Sequence, residues 1–149
     1  MIAAIVLAAT IEDVISTMKV LIADDSPAIV ERLMRLLAEI GGIERLDPAD
    51  TVASASEAVR RLRPDVLILD MQMPGGSGLD VLKVINKDQI ACAVIVLTNF
   101  AYPQYRRKCM QSGAQFFLDK STEFEKVREV LHTLDSAPSS GAGSHDPMC

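Results

Sequence analysis

The sequence predicts an α/β fold in which a parallel sheet of five strands is covered by helices on both faces. Short apolar runs and amphipathic helical stretches alternate five times, with short connections between them. The run Val66–Leu69 is apolar at every position, and such runs are typical of parallel strands that are covered on both sides. Short connections place successive strands and helices side by side, which gives this layered arrangement.

The five predicted strands are the apolar runs of the chain. They cover residues 19–23, 43–47, 66–69, 93–97 and 114–118. The second run is the weakest of the five, because charged residues interrupt it. Turn-forming or capping residues follow each run, so every strand is predicted to end where its apolar residues end.

The first two predicted helices have clear start signals. Ser26-Pro27 supplies a cap and a first-turn proline for a helix that buries Leu33 and its apolar neighbours at helical spacing. Ser54 and Glu57 have the spacing of a capping box for the second helix. Pro64 ends that helix. The third helix is predicted from Leu79, Leu82 and Ile85, the fourth from residues 103–112, and the fifth from Phe124, Val127, Leu131 and Leu134.

Composition narrows the class of protein. The net charge of −5 argues against broad binding of nucleic acids. The cysteines Cys92, Cys109 and Cys149 are odd in number and form no CxxC pair, which favours a reducing, cytoplasmic environment. Only His132 and His145 could add further ligands, and neither has the spacing of a zinc site.

The sequence predicts one domain, over residues 18–135, between two short segments. Residues 1–17 contain an apolar run that is too short to span a membrane and lacks the positive start of a signal peptide. Two interpretations stay open for it: a short amphipathic helix, or a non-native extension before Met18. Residues 136–149 are rich in serine and glycine and are predicted to be a flexible tail.

Polar residues follow four of the predicted strands. Asp24 and Asp25 follow the first strand, Asp70 the third, Thr98 the fourth and Lys120 the fifth. The carboxyl ends of parallel strands share one edge of a sheet, where such folds bind ligands. Three carboxylates at one edge favour a bound cation, and Mg²⁺ suits oxygen ligands. A hydroxyl and an amine beside them suit a phosphoryl group that is attacked by a carboxylate. The alternative for Asp70 is a simple helix cap.

Together these motifs resemble the receiver domain of two-component response regulators. Besides the acids and Thr98, the chain carries Asp-x-x-Met-Pro-x-x-x-Gly from Asp70 to Gly78, and Phe-Leu-Asp-Lys ending at Lys120, all in family order and spacing. The resemblance covers residues 19–135. It implies a flavodoxin-like, doubly wound sheet with the strand order 2-1-3-4-5. It also implies a phosphorylation-dependent signalling switch in a phosphorelay.

The resemblance implies a role for each of these residues. Asp70 would accept a phosphoryl group from a histidine kinase or a phosphotransfer protein. The implied Mg²⁺ ligands are Asp25 directly, Asp24 through water, Asp70, and the backbone carbonyl of Gln72. Thr98 and Lys120 would bind phosphoryl oxygens, and Phe117 would be the switching aromatic.

The resemblance also implies how the signal leaves the domain. An output protein would bind the face made by the fourth helix, the fifth strand and the fifth helix. The chain would be a monomer or a phosphorylation-dependent dimer, with no direct contact to nucleic acid or membrane. Its only catalysis would be its own phosphorylation and dephosphorylation, so we do not expect a conventional enzyme.

Three positions of the chain qualify what the resemblance implies. Ser121 follows Lys120 where many members have proline and a cis bond, which would be costly here, so that loop could differ. Gln72 and Phe100 occupy the two positions that tune phosphoryl lifetime. Because Phe100 cannot orient a water molecule and could shield the phosphoryl group, we expect slow self-dephosphorylation.

Other functions stay open at this stage. The chain could be the receiver fragment of a longer DNA-binding response regulator. A haloacid-dehalogenase-like phosphatase would need a second acid two residues after Asp70, where Gln72 stands. A flavin binder would need a phosphate loop after the first strand, where Asp24 and Asp25 would repel the phosphate.

Overall fold

The computed structural model describes residues 17–136 and contains one main sheet of five parallel strands. These strands are β1 (Met18–Ala23), β2 (Ile43–Arg45), β3 (Val66–Leu69), β6 (Ala93–Thr98) and β7 (Phe116–Asp119). Their order is β2-β1-β3-β6-β7. A small antiparallel hairpin, β4 (Gln72–Met73) and β5 (Gly76–Ser77), lies outside this sheet. The predicted order 2-1-3-4-5 is therefore confirmed for the five main strands.

Five helices cover the two faces of the sheet. They are α1 (Pro27–Ala38), α2 (Val52–Leu62), α3 (Gly78–Lys87), α4 (Pro103–Gln111) and α5 (Lys126–Ser136). Successive side chains of a strand point to opposite faces, so one strand serves two cores. Val20 and Ile22 of β1 belong to the core with α1 and α5, whereas Leu21 and Ala23 belong to the core with α2, α3 and α4. The expected helices on both faces are confirmed.

The start of α2 differs from the sequence prediction. Its cap is Thr51, whose hydroxyl oxygen accepts from the Ser54 N–H at 3.0 Å. The Ser54 hydroxyl accepts from the Thr51 N–H at 3.1 Å and completes the capping box. The predicted box of Ser54 and Glu57 is therefore wrong by one turn. A serine at the third helical position can do the work of the usual glutamate, which the spacing rule does not anticipate.

Other boundaries agree with the sequence to within a few residues. The Ser26 cap of α1 is confirmed, because its hydroxyl oxygen accepts from the Ile29 N–H at 3.4 Å. β2 ends at Arg45, earlier than predicted, and β7 begins at Phe116, later than predicted. α5 begins at Lys126, after a turn that contains Phe124.

The predictions for the two ends of the chain fall mostly on residues that the structure does not describe. The possible helix within residues 1–17 and the tail at 136–149 lie outside the described residues, apart from Thr17 and Ser136. Across residues 17–136, none of the helices has the length and apolar character that crossing a membrane would require.

Candidate functional site

The register of the central strands brings the predicted acids together. β1 and β3 pair with Ala23 opposite Leu69, so Asp24 and Asp70 leave the sheet side by side. The Asp70 N–H donates to the Ala23 carbonyl at 2.9 Å and extends this ladder by one bond. On the other side of β3, the Lys120 N–H donates to the Thr98 carbonyl at 2.8 Å. The strand ends thus place these groups at one edge, as predicted.

A cavity of about 530 Å³ opens at this edge of the sheet. It extends from the β1–α1 loop across the hairpin of β4 and β5 to the start of the β6–α4 loop. Its polar lining includes Asp24, Asp25, Ser26, Asp70, Gln72, Ser77, Asn99 and Lys120. Met71, Met73, Pro74 and Phe100 supply its apolar lining. The sequence predicted five of the polar residues as site residues, the exceptions being Ser26, Ser77 and Asn99.

A buried ion-pair network joins Lys120 to two of the acids. Lys120 Nζ lies 2.8 Å from Asp24 Oδ2 and 3.4 Å from Asp70 Oδ2. All three side chains are at most 7% exposed. The other oxygen of each acid accepts from a backbone N–H: Asp24 Oδ1 from Ser26 at 2.9 Å, and Asp70 Oδ1 from Gln72 at 3.2 Å. Buried charges need this pairing, because an unpaired carboxylate in the interior is strongly unfavourable.

The third acid completes a cluster that fits a divalent cation. Asp25 is exposed, and one carboxylate oxygen each of Asp24, Asp25 and Asp70 lies within 4.8 Å of the others. Carboxylate oxygens are hard ligands of the kind that Mg²⁺ prefers, and the open cavity leaves room for water and phosphate oxygens. The residues present therefore fit the magnesium site that the sequence predicted.

The pKa of Asp70 is raised above its ordinary value of 3.8. The largest cause is burial, which disfavours the charged carboxylate, and the second is the negative charge of Asp24. The Gln72 N–H and Lys120 act in the opposite direction, because both stabilise the ionised form. These two groups therefore offset the effects of burial and of Asp24 on the pKa of Asp70 only in part.

Two of the predicted residues, Thr98 and Phe117, do not line the cavity. Thr98 is fully buried, and its hydroxyl oxygen accepts from the Phe100 N–H at 3.1 Å. Phe117 is 4% exposed and belongs to the core with α2, α3 and α4. The Arg106 guanidinium lies 5.7 Å from the centre of the Phe117 ring and donates to the Phe117 carbonyl at 3.2 Å. Phe100, in contrast, lines the cavity and is 37% exposed.

The loop after Lys120 is built without proline. The described peptide bonds are all trans, the Lys120–Ser121 bond among them. Asp119 Oδ1 accepts from both the N–H and the hydroxyl of Ser121, at 2.8 and 2.7 Å, and these bonds hold the pKa of Asp119 below its ordinary value. The Asp119 N–H donates to Glu123 at 2.9 Å. Side-chain bonds thus order the turn that positions Lys120.

Sequence reasoning missed some features of the site. Asn99 lines the cavity directly after Thr98, and its place at a strand end could have revealed it. The Ser26 N–H, identified only as part of a helix cap, also holds Asp24. The buried Cys109 thiol lies 3.4 Å from the Met71 sulfur, a contact that no sequence pattern indicates.

Comparison with known proteins agrees with this geometry. The sequence model of the "Response regulator receiver domain" family matches residues 20–132. A "Putative transcriptional regulator" of Pseudomonas aeruginosa is 38% identical over 113 residues, 76% of this chain and 53% of the relative. The "Response regulator GacA" of the same organism is 29% identical over 116 residues, 78% of this chain and 54% of the relative.

The solved structures include the signal receiver domain of the putative response regulator NarL from Mycobacterium tuberculosis. It is 30% identical, with a TM-score of 0.73, and the match covers 81% of this chain and 98% of that one. The chain spans about half the length of the curated relatives that it matches. Its strand order, its acidic edge and the family match lead to one conclusion: the chain belongs to the response regulator receiver domains of two-component signalling.

Proposed function

We propose that Asp70 accepts a phosphoryl group from a histidine kinase or a phosphotransfer protein and that the modified domain signals to an output protein. The proposal rests on one observation: two buried acids, Asp24 and Asp70, one exposed acid, Asp25, and the buried Lys120 line the same open cavity. Receiver domains are signalling regulators, so we propose no further enzymatic activity. We also propose a cytoplasmic location and no direct contact with nucleic acid or membrane.

The chemical step uses the ionised carboxylate of Asp70. One of its oxygens attacks the phosphorus of the donor, the bond from phosphorus to the donor nitrogen breaks, and an acyl phosphate forms. Lys120 and the Gln72 N–H favour the ionised form of Asp70 and so oppose the effects of burial and of Asp24. Asp24, Asp25, Asp70 and the Gln72 carbonyl would hold Mg²⁺. When bound, Mg²⁺ would neutralise part of the phosphoryl charge.

The switch follows from what the acyl phosphate demands of its neighbours. A phosphoryl group brings almost two negative charges and three acceptor oxygens. Lys120 lies 3.4 Å from Asp70 and can pair with these oxygens after a small shift. Thr98 is fully buried and does not line the cavity, so its side chain must shift before the hydroxyl can donate to them. Because the hydroxyl oxygen accepts from the Phe100 N–H, this shift also affects the start of the β6–α4 loop. We propose that Phe117 repacks in response and alters the face made by α4, β7 and α5.

The lifetime of the phosphoryl group depends on what borders it. Gln72 is exposed in the cavity lining and can orient a water molecule, whereas Phe100, which lines the same cavity, has no polar side-chain group to do so. We propose that the Phe100 ring shields the phosphoryl group from water. We therefore propose slow self-dephosphorylation. A half-life of seconds in the presence of Mg²⁺ would contradict this part of the proposal.

The central test is phosphorylation by acetyl phosphate with Mg²⁺, followed by intact mass. The wild type should gain the mass of one phosphoryl group, and Asp70→Asn should gain none. Asp65→Asn is a matched control, because Asp65 is an exposed acid at the opposite end of β3. Equal labelling of the wild type and Asp70→Asn would reject the assignment of Asp70.

A second candidate is the receiver of a longer DNA-binding response regulator. The observation that favours it is that the chain spans about half of relatives such as the putative transcriptional regulator. The phosphorylation chemistry would be the same, but the receiver would act on its own effector domain. Sequencing the native reading frame beyond Cys149 separates the two candidates.

A further inference from the structure

The segment from Phe100 to Met110 differs from the rest of the described chain in what it exposes. All of the exposed large hydrophobic side chains of residues 17–136 lie there: Phe100, Tyr102, Tyr105 and Met110. The ring centres of Tyr102 and Tyr105 are 5.8 Å apart, and those of Phe100 and Tyr102 are 6.3 Å apart. Single exposed apolar residues are ordinary, but a contiguous aromatic surface marks an interaction site.

A second cavity opens beside this aromatic surface, in the groove between α3 and α4. Its volume is about 200 Å³. The residues that shape it are Met71, Leu79, Phe100, Tyr105, Lys108 and Cys109. Small-molecule sites occupy roughly 300–1,000 Å³, so this cavity is too small for a cofactor but large enough for one apolar side chain.

The charge of α4 indicates the chemistry of the partner. Arg106, Arg107 and Lys108 follow one another, and α4 contains no acidic residue. Among the described residues, none of the three forms an ion pair. Lys108 lines the small cavity, whereas Arg106 contacts Phe117 and the β7 backbone. In a chain of net charge −5, this helix is a local positive surface, which favours an acidic partner.

We propose that the groove between α3 and α4 binds a short acidic peptide segment of the output protein. One apolar or aromatic side chain of the segment fills the cavity of about 200 Å³, and a neighbouring carboxylate pairs with Lys108. The identity of the partner as the output protein rests on the proposed function. The groove lies on the α3 side of α4, apart from the face that α4 forms with β7 and α5.

The groove is also continuous with the phosphoacceptor cavity. Met71, Gln72, Ser77 and Phe100 line both. A phosphoryl group on Asp70 that moves Phe100 or Gln72 therefore changes the shape of the groove. Coupling of this kind is reciprocal, so the bound peptide must change the stability of the phosphorylated state by the same factor.

The test uses a fluorescent helical peptide with a central tryptophan flanked by glutamates. Fluorescence anisotropy measures its affinity for the unphosphorylated chain, and amide chemical shifts map its site. Two matched peptides replace the tryptophan by alanine or the glutamates by lysine, and both should bind more weakly. Tyr105→Ala should weaken binding roughly tenfold and Lys108→Glu roughly fivefold. Arg61→Glu, the same charge change on exposed α2 surface, should leave the affinity unchanged.

The outcomes separate this proposal from the proposed function. The proposal is supported if the amide chemical-shift changes are confined to the groove and both Tyr105→Ala and Lys108→Glu bind the peptide more weakly. The proposal is overturned if the peptide does not bind, if the chemical-shift changes fall on α1 or α5, or if all three peptides bind equally well. A Tyr105-dependent dimer in sedimentation, without peptide binding, would overturn it in favour of a second copy of the chain.

The coupling is tested by repeating the titration after acetyl phosphate treatment. The affinity should change roughly fivefold or more in the wild type and stay constant in Asp70→Asn. An unchanged affinity in phosphorylated wild type contradicts the coupling. If Asp70 is not phosphorylated at all but the peptide still binds, the proposed function is wrong and the peptide-binding site in the groove is still supported.

Discussion

Helices α1 and α4 each follow a loop that borders the same cavity, but they differ in how many of their residues are buried against the rest of the domain. α1 buries Leu33, Leu36 and Leu37, whereas Cys109 is the buried residue of α4. Ion pairs also link α1 and the residue after it to the α5 region: Arg32 with Glu125 at 3.4 Å and Glu39 with Arg128 at 2.7 Å. The basic residues of α4 form no ion pair within the part of the chain described.

This difference indicates which wall of the site can move. Elements with few buried apolar contacts open locally at a small cost in free energy, whereas well-packed elements open only with the whole domain. α1 begins just after Asp24 and Asp25, so the acidic side of the cavity belongs to the rigid part. α4 follows Thr98 and Phe100, so the side that we propose responds to a phosphoryl group belongs to the weakly packed part.

The largest expected effect compares a buried apolar residue of α1 with an exposed apolar residue of α4. Leu33→Ala should lower the free energy of unfolding by about 2–5 kcal/mol, because Leu33 is fully buried. Met110→Ala on α4 should change it by about 0.5 kcal/mol or less, because Met110 is 38% exposed. Urea unfolding followed by circular dichroism measures both. Similar losses for the two variants would contradict the contrast between α1 and α4.

The next effect concerns the acidic side of the cavity. Mg²⁺ at a concentration one hundred times its Kd should increase the free energy of unfolding by about 2.7 kcal/mol, and the melting temperature should rise accordingly. Asp25→Asn should abolish most of this gain without disturbing the core, because Asp25 is exposed. Asp47→Asn, an exposed acid outside the cavity, is the matched control. Amide shifts on Mg²⁺ binding should be larger at the start of α1 than in α4; the reverse would contradict the proposed placement of the ion.

A smaller effect follows from the raised pKa of Asp70. Burial and Asp24 disfavour the ionised carboxylate, so above its folded pKa the charge of Asp70 costs stability. Below the ordinary value of 3.8 the carboxyl is protonated in both states and the cost disappears. Asp70→Asn should therefore be more stable than the wild type at pH 7, by less than the Leu33→Ala effect. This advantage should shrink as the pH falls.

Unfolding measured in buffers with a chelator, from pH 7 to pH 3, checks this prediction. The chelator is needed because a bound cation would stabilise the ionised carboxylate and hide the effect. A variant that is less stable than the wild type at pH 7 would mean that the pairing with Lys120 outweighs burial.

The smallest effect compares one arginine from each helix. The Arg32 guanidinium lies 3.7 Å from the centre of the Phe124 ring and pairs with Glu125. Arg32→Ala should cost about 0.5–1 kcal/mol, since both contacts are near the surface. Arg107→Ala should be neutral within about 0.5 kcal/mol. Chemical unfolding of Arg32→Ala, Glu125→Ala and the double variant gives the interaction energy of the pair, and Arg107→Ala is measured in the same way. An equal cost for the two arginine variants would contradict the contrast between α1 and α4.

The sequence by itself determined the layers of the molecule and the residues at its functional edge. Apolar runs, helical spacing and caps are local properties, and they identified the five main strands and the positions of Asp24, Asp70 and Lys120. The rule that parallel strand ends share one edge then brought these residues together. The α2 cap was misplaced by one turn because Ser54 replaced the glutamate of the usual pattern.

Only the tertiary structure decided how the side chains pair. Lys120 and Asp24 are 96 residues apart in sequence, and their contact depends on strand register and on rotamers that no local pattern encodes. The same holds for the Thr98 hydroxyl, which is turned to the Phe100 N–H, and for the groove between α3 and α4. Periodicity fixes which face a residue occupies, whereas the distances between side chains are set by how the elements pack.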